Sequence, residues 1–222
     1  MINLLSYIPL IHVEGLKYVV FLGMVAILGF LVRSYLGWSM LLLTILCAIF
    51  FRDPNRIAPD NEKAILSAAD GTITSIIRMR PPAELKLATT EEMIRVSTFL
   101  SIFNVHVNRI PVTGKVITMN YHPGKFISAT LDKSSVDNER LSLVIETKNK
   151  DHIAVVQIAG LIARRIVCNV TLGQTVQQNE RFGIIRFGSR VDIYFPQSYK
   201  VLVKVGQSMI GGETVIAENV SE

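Results

Sequence analysis

Gly173-Gln174-Thr175-Val176, with Glu180 shortly after, recurs 33 positions later as Gly206-Gln207-Ser208-Met209, with Glu213 in the matching place. A glycine, an amide, a polar residue and an apolar one describe a turn feeding a short strand. Two copies in one chain imply two copies of one β-unit. Outward from the repeat, from residue 64 onward, the sequence breaks into short runs rich in Val, Ile, Thr and aromatics, separated by turn residues. These predict strands over 64–68, 71–78, 93–100, 114–120, 141–147, 152–158, 165–168, 183–187, 191–195, 200–205 and 214–217. The fold class is therefore mainly β, a pseudo-symmetric β-sandwich. Segment 132–140 is polar and long enough for a functional flap. Between the copies of the repeat lies Arg186-Phe187-Gly188-Ser189-Arg190.

The repeat resembles the hairpins of lipoyl- and biotinyl-type barrel-sandwich hybrid domains. That resemblance implies a non-catalytic, membrane-tethered carrier or binding module as one reading of the chain.

The N-terminal part has a different composition. Residues 18–32 and 35–51 are almost wholly apolar, with Arg33-Ser34 between them, and neither run has a polar face. At 15 and 17 residues, each falls short of the roughly 20 that cross a bilayer unaided. We read an N-terminal hydrophobic helical hairpin over residues 1–56 and a β-rich domain over 57–222. The chain is half hydrophobic, with a mean hydropathy of +0.39, as a membrane-associated protein requires. Arg52, Arg56 and Lys63 follow the second run and only Arg33 marks the turn, which places both ends, and the β-rich domain, on the cytoplasmic face of the inner membrane. A net charge of +5 without a Lys/Arg block suits an anionic membrane or substrate and not a nucleic-acid groove. Cys47 and Cys168 form neither a disulfide framework nor a zinc pattern.

Residues able to do chemistry lie in the β domain. Gly188-Ser189 is a bend or a self-cleavage site, since a serine hydroxyl can attack the preceding carbonyl if a base takes its proton. His106 and His122 stand in polar, turn-rich contexts, and imidazole titrates near neutrality. Asp70, before Gly71, is a turn residue or a carboxylate that orients a histidine.

Six motifs in order, Phe51-Arg52-Asp53-Pro54-x-Arg56, Ala69-Asp70-Gly71, Phe103-Asn104-Val105-His106-Val107-Asn108-Arg109, Tyr121-His122-Pro123-Gly124-Lys125-Phe126, Asn138-Glu139-Arg140 and Phe187-Gly188-Ser189-Arg190, resemble the short prokaryotic phosphatidylserine decarboxylases. The resemblance implies a self-cleaving, pyruvoyl-dependent carboxy-lyase. Serinolysis at Gly188-Ser189 would leave residues 1–188 as a β subunit and 189–222 as an α subunit headed by a pyruvoyl group. That group would form a Schiff base with phosphatidylserine and release CO2 to give phosphatidylethanolamine, with no metal and no pyridoxal phosphate. The expected partners are a phospholipid, the membrane and the α/β heterodimer, with a higher homo-oligomer open. The same chemistry on an archaeal-type ether-lipid serine is a second reading.

Longer relatives carry His-x-x-His where this chain has His106-Val107-Asn108-Arg109, so the residue resembling the maturation base is replaced by Arg109, which stays protonated. Either His106 serves both steps or His122 substitutes. Asp70 joins a histidine for maturation. Arg109, Lys125 and Arg190 are the candidates for binding the headgroup's carboxylate or phosphate.

Overall fold

The computed structural model describes residues 10–87, 91–124, 138–160, 166–186 and 189–220. It divides into two compact units, Met1–Asn55 and Arg56–Glu222.

In the first unit, α1 (Val13–Val32) and α2 (Ser34–Phe50) form a helical pair, and the strands β1 (Leu10–Ile11) and β2 (Arg52–Asp53) pair with each other. The helix α1 begins five residues earlier than its apolar run. His12 caps it, its Nδ1 accepting from Glu14 N–H at 3.2 Å. The gain makes α1 20 residues long, and by length and composition it can cross a membrane, whereas α2 has 17. Arg33 alone turns the chain, in an extended conformation. A Cβ on Gly29 would lie 3.0 Å from the Gly37 backbone, so glycine lets the helices approach here.

The second unit is built from β3 (Ala64–Leu66), β4 (Gly71–Met79), β5 (Met93–Leu100), β6 (Val107–Arg109), β7 (Gly114–His122), β8 (Arg140–Glu146), β9 (His152–Ala159), β10 (Ile166–Cys168), β11 (Thr175–Val176), β12 (Arg181–Ile185), β13 (Ser189–Pro196), β14 (Tyr199–Val201), β15 (Ser208–Met209) and β16 (Val215–Asn219). Eight strands form one curled sheet, in the order β11-β7-β8-β9-β13-β5-β4-β15. Two three-stranded sheets, β10-β12-β6 and β14-β16-β3, complete the unit. Ile73, Val96, Leu143, Val155, Ile193 and Phe195 from the large sheet share one core with Ile65, Ile185 and Ile216 from the small ones. On the large sheet's other face, Val144, Val156, Ile158 and Tyr194 pack with Leu85 of the 3-10 turn Ala83–Leu85.

The strand order reads the same from either edge once β3, β4 and β5 are matched to β6, β7 and β8, and β9–β12 to β13–β16. The repeat supplies the two edges. Gly173 and Gly206 have φ of +85° and +88°, the left-handed region open to glycine. Gly173 N–H donates to Val116 O and Gly206 N–H to Ile73 O, each at 2.8 Å. Val116 and Ile73 return the bond to Gln174 O and Gln207 O. The pseudo-symmetry expected from the repeat thus runs through the whole β unit, with β9 and β13 paired at its centre.

Candidate active site

Ser189 is the first residue of β13, a strand paired on both sides, with Ala159 and Leu100 opposite. Side chains alternate across a sheet, so Ser189 shares the inner face with Val191, Ile193 and Phe195. Its side chain is fully buried, and Oγ has no hydrogen-bond partner. The strand beside it is pinned at this level: Asn138 Nδ2 donates to Ala159 O at 2.7 Å, and Ala159 N–H donates to Glu139 O at 2.9 Å. The Glu139 carboxylate accepts from Ile166 N–H at 3.2 Å.

His106 precedes β6 and is fully buried. Ser101 N–H and Oγ–H both donate to Asn104 Oδ1, which stiffens the turn leading to it. Its Nδ1 lies 3.0 Å from Asn104 O. A carbonyl only accepts, so Nδ1 carries the proton, and in the neutral ring Nε2 then carries the lone pair that a general base needs. Ile185 N–H donates to His106 O at 3.3 Å, extending the β6–β12 ladder by one residue. By alternation His106 lies on the same side of β6 as Asn108, and Asn108 Oδ1 accepts from Gln157 Nε2 of β9 at 2.7 Å. Gln157 and Ser189 stand on the same face of the large sheet, so His106, Asn108, Gln157 and Ser189 turn toward one inter-sheet space.

Asp70 immediately precedes β4, at the end of the sheet where β13 starts. Its Oδ1 accepts from Gly211 N–H at 2.7 Å, and its Oδ2 from Arg56 Nη2 at 2.8 Å. The first bond belongs to the repeat: at the matching place, Thr113 Oγ1 accepts from Gln178 N–H at 3.0 Å. The second does not. Arg56 also reaches Glu213, at 4.0 Å, and its carbonyl accepts from Asn179 Nδ2 at 2.9 Å.

Two expected site residues, His122 and Arg190, stand on the other face of the large sheet, and a third, Arg109, joins the network around Asp70 through Asn179. His122 pairs with Arg140, Arg140 with Ile158, and Ile158 with Arg190, one row across the large sheet. Directly paired residues share a face, and this one is opposite that of Ser189. His122 therefore sits three strands from β13 on the wrong side, its Nε2 3.5 Å from Glu84, whose carboxylate also takes Arg140 Nε at 2.6 Å and Ser142 Oγ at 2.9 Å. Arg190 points away from Ser189 for the same reason. It is 3% exposed and engages Asp192 through two bonds, Nε–Oδ1 at 2.8 Å and Nη2–Oδ2 at 2.7 Å. Arg109 is buried too, with Nη1 donating to Asn179 O at 3.0 Å and Asn179 Oδ1 at 3.1 Å. Position i+1 after a serine faces the other way in a strand, so Arg190 and Ser189 stand on opposite faces of the sheet. Gly188, Lys125 and most of the expected flap lie outside the described residues. Among the described residues, no group of three His, Cys, Asp or Glu side chains is placed to hold a metal.

The model of one family, phosphatidylserine decarboxylase, matches residues 43–217. The chain belongs to that family. A phosphatidylserine decarboxylase proenzyme of Ruegeria pomeroyi is 48% identical over 213 residues, covering 96% of this chain and 97% of its own length. Proteins of the same name from Nitrobacter winogradskyi and Cereibacter sphaeroides are 52% and 51% identical, covering 94% and 98% of this chain, and 84% and 94% of their own lengths. The chain is thus an enzyme, a decarboxylase, of a family whose relatives are named as proenzymes.

Sequence reading passed over Asn108, Gln157 and Glu84. Asn108 and Asn138 lay inside motifs that were legible. Gln157 and Glu84 carried no local signal, because what distinguishes them is a partner 49 or 58 residues away.

Proposed function

We propose that this chain is a self-processing, pyruvoyl-dependent decarboxylase of phosphatidylserine that cuts itself between Gly188 and Ser189. The observation that carries the reading is the Ser189 hydroxyl, fully buried with no hydrogen-bond partner, facing the space that His106 also faces. A serine placed for packing alone would satisfy its hydroxyl.

In maturation His106 Nε2 takes the Ser189 proton as Oγ attacks the residue-188 carbonyl, and the peptide becomes an ester. Loss of the Cα proton then expels residues 1–188 as a carboxylate and leaves dehydroalanine, which water converts to pyruvoyl and ammonia. Asp70, bonded to Arg56 and Gly211, supplies the carboxylate that favours an imidazolium at this end of the sheet. The pieces stay together because residues 189–220 contribute β13 to the centre of the large sheet and β14–β16 to its edge and to a small sheet.

In the mature enzyme the pyruvoyl ketone receives the substrate amine and accepts the electrons that CO2 leaves behind. His106 returns a proton to the substrate carbon, and the buried setting keeps water from competing for it. Lys125 remains the candidate cation for the anionic headgroup. The helical pair associates the enzyme with the inner membrane and keeps the β domain on the cytoplasmic side, following the basic residues after α2.

Intact mass spectrometry tests this reading. Wild-type protein should yield two pieces that divide at 188/189, the smaller with a blocked N-terminus, and Ser189→Ala should remain at 24.7 kDa. Wild-type protein that decarboxylates phosphatidylserine with an uncut chain would overturn it. An uncut, inactive wild type would favour the carrier module.

A further inference from the structure

Asn108 and Gln157 meet inside the β unit, both fully buried, through the single bond from Gln157 Nε2 to Asn108 Oδ1. Their other polar atoms, Asn108 Nδ2 and Gln157 Oε1, have no partner. Rotating both amides by half a turn preserves the bond and still leaves one donor and one acceptor over. Unpaired buried amide groups are expensive, and two leucines would fill the same volume without that cost.

The neighbourhood supplies a reason to keep them. Gln157 is opposite Val191 and Ala159 is opposite Ser189, so Gln157 and Ser189 are diagonal neighbours on one face. Such pairs have Cβ atoms about 7 Å apart, within reach of a long side chain. Ser189 Oγ, on the same face, has no partner either. Opposite Asn108 stands Gly183, where a Cβ would crowd Val167 O at 2.3 Å and Gln157 Nε2 at 3.3 Å, so glycine leaves room for the amides.

We propose that Asn108 and Gln157 are positioning residues for self-cleavage, an amide floor beneath the reacting hydroxyl. In the attacking arrangement Asn108 Nδ2 donates to Ser189 Oγ, a bond that neither atom makes in the resting structure. That leaves the O–H for the base, His106, and the remaining lone pair for attack. Gln157 fixes the orientation of the Asn108 amide through their shared bond. The proposal rests on the self-processing reading above and adds to it the residues that aim the nucleophile.

The test follows cleavage of the full-length chain in detergent micelles after a short expression pulse, by gel and intact mass. Wild type and Ser189→Ala are run first. An uncut wild type removes the self-processing reading and this proposal together. With wild type cut, Asn108→Leu/Gln157→Leu should slow cleavage at least tenfold at an unchanged Tm, and hydroxylamine should not split the uncut chains, since no ester has formed. Cleavage at the wild-type rate overturns the proposal alone, as does slow cleavage with a lowered Tm or a hydroxylamine-sensitive ester. If the double variant does not fold, Asn108→Ser against Asn108→Ala decides. The two leave similar space, and only serine keeps a donor. Cleavage at least fivefold faster with serine supports the proposal, and equal rates overturn it.

Discussion

Removing the charge of Asp192 should strand a cation in the middle of the large sheet. Arg190 is 3% exposed and Asp192 is fully buried, and two charge-assisted bonds at 2.7 and 2.8 Å hold them together. Burial and the Asp192 charge also push the Tyr194 hydroxyl pKa well up on the same face, so this tyrosine does not replace the lost anion. Breaking one side of a buried pair costs about 3–5 kcal/mol, against a typical domain stability of about 5–15 kcal/mol. Asp192→Asn should therefore lose roughly a fifth or more of the β unit's stability. Replacing both partners, Arg190→Met with Asp192→Leu, removes the stranded charge and should be neutral or stabilising by about 1–4 kcal/mol. Urea titration of the full chain in nonionic micelles measures both, in an uncut Ser189→Ala background that keeps unfolding unimolecular. Far-UV circular dichroism is the probe, because the single tryptophan, Trp38, lies in α2 and not in the β unit. The same double replacement with Ser189 intact should cleave itself and show a KM for phosphatidylserine within about twofold of wild type. A loss below about 1 kcal/mol for Asp192→Asn would refute the energetics. A tenfold rise in KM in the double variant would return Arg190 to the lipid site.

Tyr199 donates to Asp151 Oδ2 at 2.9 Å, and burial, then Asp151, raises its pKa from 10.0 to about 12. Below pH 10 both states keep the proton, whereas between about 10 and 12 the unfolded chain loses it first, so stability falls with pH there. Tyr199→Phe should remove that slope; a wild-type advantage that stays flat from pH 9 to 11.5 would contradict it. At Gly114 a Cβ would lie 2.3 Å from Glu146 O, a backbone atom that cannot swing away. Gly114→Ala should cost about 1–3 kcal/mol in the same urea assay, and an unchanged midpoint would show that the β7–β8 pair can shift.

The helices, most strands and the pseudo-symmetry were legible because each is a local pattern: apolar runs, period-two alternation, a recurring Gly-Gln turn. What the sequence did not show was which strands meet. His122 read as a loop residue before a proline, yet β7 continues through it, and the pairing of β7 with β8 then settles its face. The two-residue edge strands β11 and β15 carry no period, and only the ladder to β7 and β4 defines them.

Symmetry also separates scaffold from chemistry more sharply than any single motif. Where the halves agree, the residues hold the fold: Gly173 with Gly206, Val116 with Ile73, and Asn179 with Gly212, both in the left-handed region at φ of +68° and +79°. Three of the places where they differ hold the residues proposed for the chemistry. The turn requires only one acceptor before β4 or β7, which Thr113 supplies with a hydroxyl; Asp70 adds a second oxygen and a charge, and Arg56 has been brought to it. The residue preceding β3 is Lys63, and the one preceding β6 is His106. The strand β9 opens on a half-exposed His152 and β13 on the buried Ser189. Asp70, His106 and Ser189, the residues proposed for self-cleavage, all fall where one half departs from the other, as the proposal requires of a pseudo-symmetric scaffold with chemistry at only one of its two equivalent ends.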